Sequence, residues 1–146
     1  MKNIPVRKYL YGFLCLTFLF LSSCKKDLTD FVESNKDISG TWKIVKLTRS
    51  GEDMSTRMDL SKFRIILNKD NTYTLQDQFP FFLTKPGTYH FDDPQYPFFL
   101  KFQPQGATDE NKINFEYPIA NGKRQVKLTI TLGCTQVKYE YYFEKE

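Results

Sequence analysis

Residues 124–132 (RQVKLTITL) and residues 136–144 (QVKYEYYFE) alternate between apolar and polar side chains along nearly their whole length. This period of two residues is typical of a β-strand that buries one face and exposes the other. Three residues, Gly133 to Thr135, separate the two segments, which is short enough for a hairpin. The C-terminal part of the chain is therefore predicted to form an antiparallel pair of strands.

The same kind of pattern extends back through the chain to Ile38. Shorter alternating segments lie at residues 41–48, 63–67, 72–76, 88–91 and 112–117. Turn residues separate them, and Asn121-Gly122 is the pair best suited to a tight hairpin. Eight or nine short strands at a spacing of about 10 residues, with no long helical pattern, indicate an all-β domain.

Consecutive hairpin-length connections favour a meander over a Greek key, which needs a long return connection. Closing a meander into a barrel removes the two exposed edges of the sheet. We therefore predict a small antiparallel up-and-down barrel of about eight strands over residues 38–146. An open β-sandwich is the alternative architecture.

The N-terminus has the parts of a secretory signal. Lys2, Arg7 and Lys8 precede the mostly apolar run from Tyr9 to Leu21. The run is shorter than the roughly 20 residues that cross a bilayer as a helix, and it fits the apolar part of a signal peptide. Residues 24–37 are polar and charged without sustained periodicity, so they are predicted to be a tether.

Residues 21–24 (LSSC) end the apolar run with small residues and a cysteine. This ending resembles the lipobox of bacterial lipoproteins, in which the signal peptidase cuts before a lipid-modified cysteine. The resemblance implies that residues 1–23 are a lipoprotein signal peptide and that Cys24 carries acyl chains that hold the protein on a membrane. Lys25 and Lys26 favour the outer membrane by lipoprotein sorting behaviour, on either face. An ordinary secreted protein is the alternative.

Charge and cysteine content exclude a nucleic-acid partner and two kinds of cysteine-based stabilisation. Residues 1–23 hold three of the 21 basic residues and none of the 17 acidic ones. The rest of the chain therefore has 18 basic and 17 acidic residues, which nearly balance. No clustered basic footprint for a nucleic acid is left. Cleavage and lipidation would leave Cys134 as the single free thiol, which excludes an intramolecular disulfide and a thiolate metal site. We expect Cys134 to be a small buried side chain.

Residues 38–44 (ISGTWKI) contain Gly40-Thr41-Trp42 at the start of the first predicted strand. This G-x-W opening ahead of a strand meander resembles that of lipocalin-like barrels. With the lipobox and the tether, it is similar to small lipocalin-like lipoproteins of Bacteroidota, whose function is unassigned. The resemblance covers residues 38–146 and implies that Trp42 is structural, closing the floor of the barrel. It implies no binding residues.

A seven-residue segment that occurs twice in the sequence, here called the internal echo, supplies the candidate binding surface. Residues 78–84 (QFPFFLT) recur as residues 95–101 (QYPFFLK). Two consecutive phenylalanines cannot both face the core of a regular strand. The residues predicted to form an aromatic platform for a sugar, a lipid or a protein are Phe79, Phe82, Tyr96 and Phe99. Ordinary core packing is the alternative.

No catalytic residue, metal ligand or cofactor site is predicted. His90 is the single histidine, and the alternation puts it on the outer face. Nucleophile turns, phosphate loops and calcium-loop spacings are absent from the sequence. Many of the inward aromatic side chains are large, which favours a mostly filled barrel.

We therefore expect a non-catalytic, lipid-anchored protein of the cell envelope that binds a small apolar or glycan-like ligand. One alternative is an accessory or inhibitor subunit that docks on another envelope protein through the aromatic platform. A hydrolase is the other, because glycoside hydrolysis needs only two carboxylates at a suitable separation.

Overall fold

The computed structural model describes residues 33–79, 82–133 and 137–146. Cys24 and Cys134, for which lipidation and burial are predicted, lie outside these ranges. Within them a 3₁₀ turn occupies Leu60–Lys62. The strands are β1 Gly40–Arg49, β2 Glu52–Asp53, β3 Arg64–Leu67, β4 Thr72–Gln76, β5 Gly87–Phe91, β6 Phe99–Pro104, β7 Asn111–Glu116, β8 Ile119–Ala120, β9 Lys123–Leu132 and β10 Val137–Lys145.

Eight of the strands form a closed antiparallel barrel. The hydrogen-bonded order is β1, β3, β4, β5, β6, β7, β9 and β10, and β10 pairs back with β1. The two remaining strands are short additions, β2 on β1 and β8 on β9. The prediction of an up-and-down barrel of about eight strands is confirmed, and the open sandwich is not the observed architecture.

The antiparallel register gives the barrel two ends. Gly40 pairs with Leu67, and Phe91 pairs with Leu100, so the chain enters the barrel at the end where β3 and β5 finish. We call this the proximal end; it carries residues 34–39, 68–71, 92–98 and 117–122. The opposite, distal end carries residues 50–63, 77–79, 82–86 and 105–110.

The barrel interior is filled with large side chains. The largest fully buried ones are Trp42, Tyr73, Phe79, Phe102, Tyr141 and Phe143. Trp42 lies near the proximal end, where its indole N–H donates a hydrogen bond to the Ile38 carbonyl at 2.7 Å and its ring meets the edge of Tyr117. The aromatic residues that alternate inward thus form the hydrophobic core of the barrel.

Two departures from simple alternation have local causes. The register of β1 shifts between Ile44 and Lys46, so this β-bulge turns Leu47 into the core and leaves Val45 exposed. Gln125 was expected on the outer face but is buried. Its backbone N–H donates to the Pro118 carbonyl at 2.9 Å and its side chain donates to Glu144 at 3.0 Å, because the connection carrying β8 folds over the start of β9.

Candidate functional site

The first copy of the internal echo belongs to the core. Phe79 is 1% exposed, and its ring centroid lies 5.9 Å from that of Phe63 and 5.8 Å from that of Phe143. Phe82 is half-buried, with ring centroids 5.3 Å from Phe102 and 5.7 Å from Tyr141. The prediction that Phe79 and Phe82 belong to a surface platform is wrong.

The backbone of the distal connection explains this burial. The Phe79 N–H donates to the Leu83 carbonyl at 2.9 Å, and the Phe82 N–H donates to the Phe79 carbonyl at 3.3 Å. These two bonds bring Phe79, Phe82 and Leu83 together over the distal end of the barrel, where none of the three belongs to a strand. Both aromatic rings, together with Leu83, pack onto the side chains of the barrel interior.

The second copy of the echo does reach the surface. Tyr96 is 54% exposed and Phe98 is 71% exposed. Phe99, which was predicted to be in the platform, is half-buried on the outer face of β6, with the Lys112 ammonium 3.7 Å from its ring centroid. Leu100 and Phe102 point inward from β6. The ring that projects into solvent is that of Phe98, the residue just before the strand.

Two aspartates hold this aromatic loop in shape. Asp92 Oδ1 accepts hydrogen bonds from the N–H groups of Phe98 at 3.1 Å and Phe99 at 2.9 Å. Asp93 Oδ1 accepts them from Gln95 at 2.8 Å and Tyr96 at 3.1 Å. These four bonds hold the backbone of the aromatic loop, residues 92–98, in the conformation that carries the exposed rings of Tyr96 and Phe98.

A cleft opens beside the aromatic loop at the proximal end, with a volume of about 560 Å³. It is lined by Asn35, Lys36, Asp37, Ile38, Lys69, Asn71, Tyr89, His90, Phe91 and Pro94. These residues come from four separate parts of the chain, the segment before β1, the β3–β4 turn, the end of β5 and the aromatic loop. No local sequence pattern marks them, which is why the sequence did not reveal this proximal cleft.

Hydrogen bonds join the parts that surround the proximal cleft. The Lys36 N–H donates to the Pro94 carbonyl at 2.7 Å, and the Tyr89 N–H donates to the Asn71 carbonyl at 2.8 Å. The Tyr89 hydroxyl donates to the Asn68 carbonyl at 2.9 Å. The cleft is thus a preformed feature in which aromatic side chains of β5 adjoin amide, ammonium and carboxylate groups.

Two ionisable side chains of the cleft differ in their surroundings. Hydrogen bonds from the Ser39 hydroxyl and the Ser39 N–H lower the pKa of Asp37, so this carboxylate stays ionised at neutral pH. The His90 side chain is 48% exposed and its Nε2 lies 3.6 Å from Glu110 Oε1. The prediction that His90 lies on the outer face is confirmed.

A second, more open groove of about 440 Å³ lies where β4 meets β5. The two strands are joined there by the residue pairs Thr72 with Thr88 and Tyr73 with Gly87. Its described lining consists of threonine, proline, glycine, glutamine, alanine and Tyr73. It therefore offers fewer charged recognition groups than the proximal cleft.

The Tyr73 hydroxyl is the buried polar side-chain atom that lacks a hydrogen-bond partner among the described residues. The Tyr73 ring packs edge-on against Phe102, with centroids 5.1 Å apart. Burial raises the pKa of Tyr73 to about 12. An unpaired buried hydroxyl loses its hydration without compensation, which costs about 1–3 kcal/mol.

We predict that Tyr73→Phe raises the free energy of unfolding by about 1 kcal/mol, because it removes this unpaired group and keeps the ring. Urea denaturation followed by the fluorescence of Trp42, the single tryptophan, measures the change. Tyr89→Phe is the control and should lower stability, since Tyr89 donates to Asn68. A loss of stability in Tyr73→Phe equal to that in Tyr89→Phe would contradict the prediction.

Two kinds of feature are absent from residues 33–79, 82–133 and 137–146. No group of three or more histidine, cysteine, aspartate or glutamate side chains is arranged to hold a metal ion. In the same ranges, no helix has the length and apolar character required to span a membrane.

Comparison with known proteins gives a family. A family model described as "Domain of unknown function (DUF5004)" matches residues 22–144. The chain belongs to the DUF5004 family. No curated protein and no solved structure matches this DUF5004 chain. The matched range includes all ten strands of the described fold, apart from the last residue of β10.

Proposed function

We propose that this DUF5004 protein is a lipid-anchored, non-catalytic protein of the cell envelope that binds a glycan-like ligand in the proximal cleft. In this proposal residues 1–23 are a lipoprotein signal peptide and Cys24 is lipidated and held on the outer membrane, on either face. The resemblance of residues 21–24 to a lipobox supports the anchoring. The resemblance of residues 38–44 to small lipocalin-like lipoproteins of Bacteroidota supports it further.

The filled barrel directs the ligand to the outside of the molecule. An eight-stranded barrel either fills its interior with side chains or holds one small ligand there. Trp42, Phe102 and Tyr141 occupy the interior here, and Phe79 packs over its distal end. A small apolar ligand inside the barrel would have to displace these rings, so we favour recognition at the surface.

The proximal cleft carries the proposal. Its volume of about 560 Å³ lies within the range of about 300–1,000 Å³ that is usual for small-molecule sites. Phe91 offers an apolar contact for sugar C–H groups, and Asn35, Asp37 and Lys69 offer donors and acceptors for hydroxyl groups. A hydroxyl-rich ligand that alternates apolar faces and polar edges matches this lining better than a purely apolar one.

The state of Asp37 supports binding over catalysis. A general acid or base works best with a pKa near the working pH. The hydrogen bonds from Ser39 lower the pKa of Asp37 instead, so its carboxylate is suited to accepting hydrogen bonds from a ligand.

Docking on another envelope protein has less support than ligand binding. Phe79 and Phe82 pack on the core, so the predicted aromatic platform retains Tyr96 as its one strongly exposed member. The exposed rings of Tyr96 and Phe98 form a smaller apolar surface than the four-residue platform that was predicted for docking.

Calorimetric titration of the full mature chain with a panel of neutral and acidic oligosaccharides tests ligand binding. We expect at least one to bind, and the double variant Lys69→Ala/His90→Ala to weaken that binding about tenfold, equivalent to about 1.4 kcal/mol. Both side chains line the cleft. Lys85→Ala, which removes an exposed lysine from the distal end, is the matched control and should bind normally. Equal weakening by Lys85→Ala, or no binding across the panel, would refute the proposal.

Cell fractionation with Cys24→Ser tests the anchoring separately. The parent chain should be recovered in the outer-membrane fraction with a mass increase on its N-terminal peptide, and the variant should lack both. An unmodified Cys24 in membrane-extracted parent protein would reject lipid anchoring while leaving the cleft titration unaffected.

A further inference from the structure

Exposed apolar side chains concentrate at the proximal end. Among the described residues the large hydrophobic side chains with high exposure are Val45, Tyr96, Phe98, Ile119 and Leu132. Tyr96 and Phe98 lie on the aromatic loop, and Ile119, at 61% exposure, lies on the neighbouring connection between β7 and β9. The aromatic loop is bonded to the strand that leads into this connection, because the Phe115 N–H of β7 donates to the Phe98 carbonyl at 2.8 Å.

This apolar surface is held open by the backbone. Asp92 and Asp93 together accept four backbone N–H hydrogen bonds within or next to the aromatic loop. The rings of Tyr96 and Phe98 therefore stay in water unless another surface covers them. Transfer of apolar area out of water contributes about 25 cal/mol per Å², so covering two large rings is favourable.

The chain enters the barrel beside the same loop. The Lys36 N–H donates to the Pro94 carbonyl, which joins the segment before β1 to the aromatic loop. Ten residues lead from Cys24 to Ser34, and at most about 3.6 Å per residue they span no more than about 36 Å. The ten residues of β9 extend about 30 Å at roughly 3.3 Å per residue. A lipid on Cys24 therefore keeps the proximal end near the membrane. The distal end could reach the membrane only if the tether ran nearly straight along the length of the barrel.

We propose that the proximal end of the barrel rests on the membrane surface, with the rings of Tyr96 and Phe98 in the interfacial layer of the bilayer. This inference rests on the lipid anchor at Cys24 of the proposed function. Aromatic side chains favour the interface, where an apolar ring meets lipid and a polar group stays hydrated. The rings fix the orientation of the anchored barrel and place the proximal cleft next to the membrane surface, so a ligand in the cleft would be a glycan close to that surface.

Tryptophan substitutions in the full mature chain, bound to vesicles of phosphatidylcholine or brominated phosphatidylcholine, test the contact. Phe98→Trp should show emission at shorter wavelength on vesicles and lose most of the added emission to the brominated lipid. Leu132→Trp, at the distal end of β9, is the matched control and should behave as in water. The parent protein supplies the signal of buried Trp42 for subtraction.

Two ways of attachment separate this inference from the lipid anchor. One sample is the lipoprotein made by cells, and the other carries a histidine tag before residue 24 and binds nickel-chelating vesicles. Flotation of the first sample reports lipidation, whereas quenching in the second reports the contact even when Cys24 is unmodified. The inference would be overturned if the emission of Phe98→Trp in the tagged sample were not quenched, or if that of Leu132→Trp were quenched equally. The exposed rings of Tyr96 and Phe98 would then be assigned to contact with a protein partner.

Discussion

Phe79→Ala is expected to lower the free energy of unfolding by about 3–5 kcal/mol, the usual cost of removing a buried phenylalanine side chain. The Phe79 ring is 1% exposed and packs against Phe63, Phe82 and Phe143. Its removal leaves a cavity at the distal end, which the folded connection can fill only in part. Urea denaturation followed by Trp42 fluorescence measures the loss.

The second copy of the echo supplies a matched control. Tyr96 occupies the position in QYPFFLK that Phe79 occupies in QFPFFLT, yet its ring is 54% exposed. Tyr96→Ala should therefore change stability by less than about 0.5 kcal/mol, as is usual for surface substitutions. Similar losses in both variants would mean that the two aromatic rings have equivalent surroundings, contrary to the structure.

This contrast shows what the sequence could and could not predict. Alternation along 124–132 and 136–144 predicted all four boundaries of β9 and β10 to within one residue, because a period of two needs only local information. The near-identical segments 78–84 and 95–101 have different surroundings because one follows β4 and closes the distal end, whereas the other leads into β6. The burial of each ring is decided by tertiary packing, which local sequence does not contain.

The candidate site was less predictable than the fold. The proximal cleft depends on contacts between the segment before β1, the β3–β4 turn and β5. The sequence marked Tyr96 correctly as exposed but selected Phe99 where Phe98 projects. Phe99 is the first residue of β6, and its ring lies along the outer face of the barrel beneath Lys112, so the position of the strand boundary decided between the two.

Alkaline pH should unfold the barrel between about pH 10 and pH 12. Burial raises the pKa of Tyr73 to about 12. Burial, with the negative charges of Asp37 and Asp70, raises the pKa of Tyr89 to about 12. A free tyrosine has a pKa of about 10. The folded state therefore keeps protons that the unfolded state releases, so the stabilisation is complete below pH 10 and is lost as pH rises towards 12.

The expected loss is comparable with the whole stability of a small domain. One pKa unit corresponds to about 1.4 kcal/mol, so two tyrosines shifted by about two units each give about 5 kcal/mol at pH 12. Domains of this size are stable by about 5–15 kcal/mol in total. Burial also raises the pKa of Tyr141, which acts in the same direction. Circular dichroism and tyrosinate absorbance, recorded together across this range, should change in one cooperative step.

Single-hydroxyl variants distinguish this mechanism from general alkaline damage. Tyr73→Phe removes one of these buried titrating hydroxyls and should move the transition to higher pH, because its share of the proton-linked loss disappears. Tyr96→Phe removes a hydroxyl from an exposed ring and should leave the transition unchanged. If ionisation of the tyrosines is complete while the circular dichroism of the barrel is retained, Tyr73 and Tyr89 are accessible to solvent in the folded state, and the packing described for the barrel interior would be wrong.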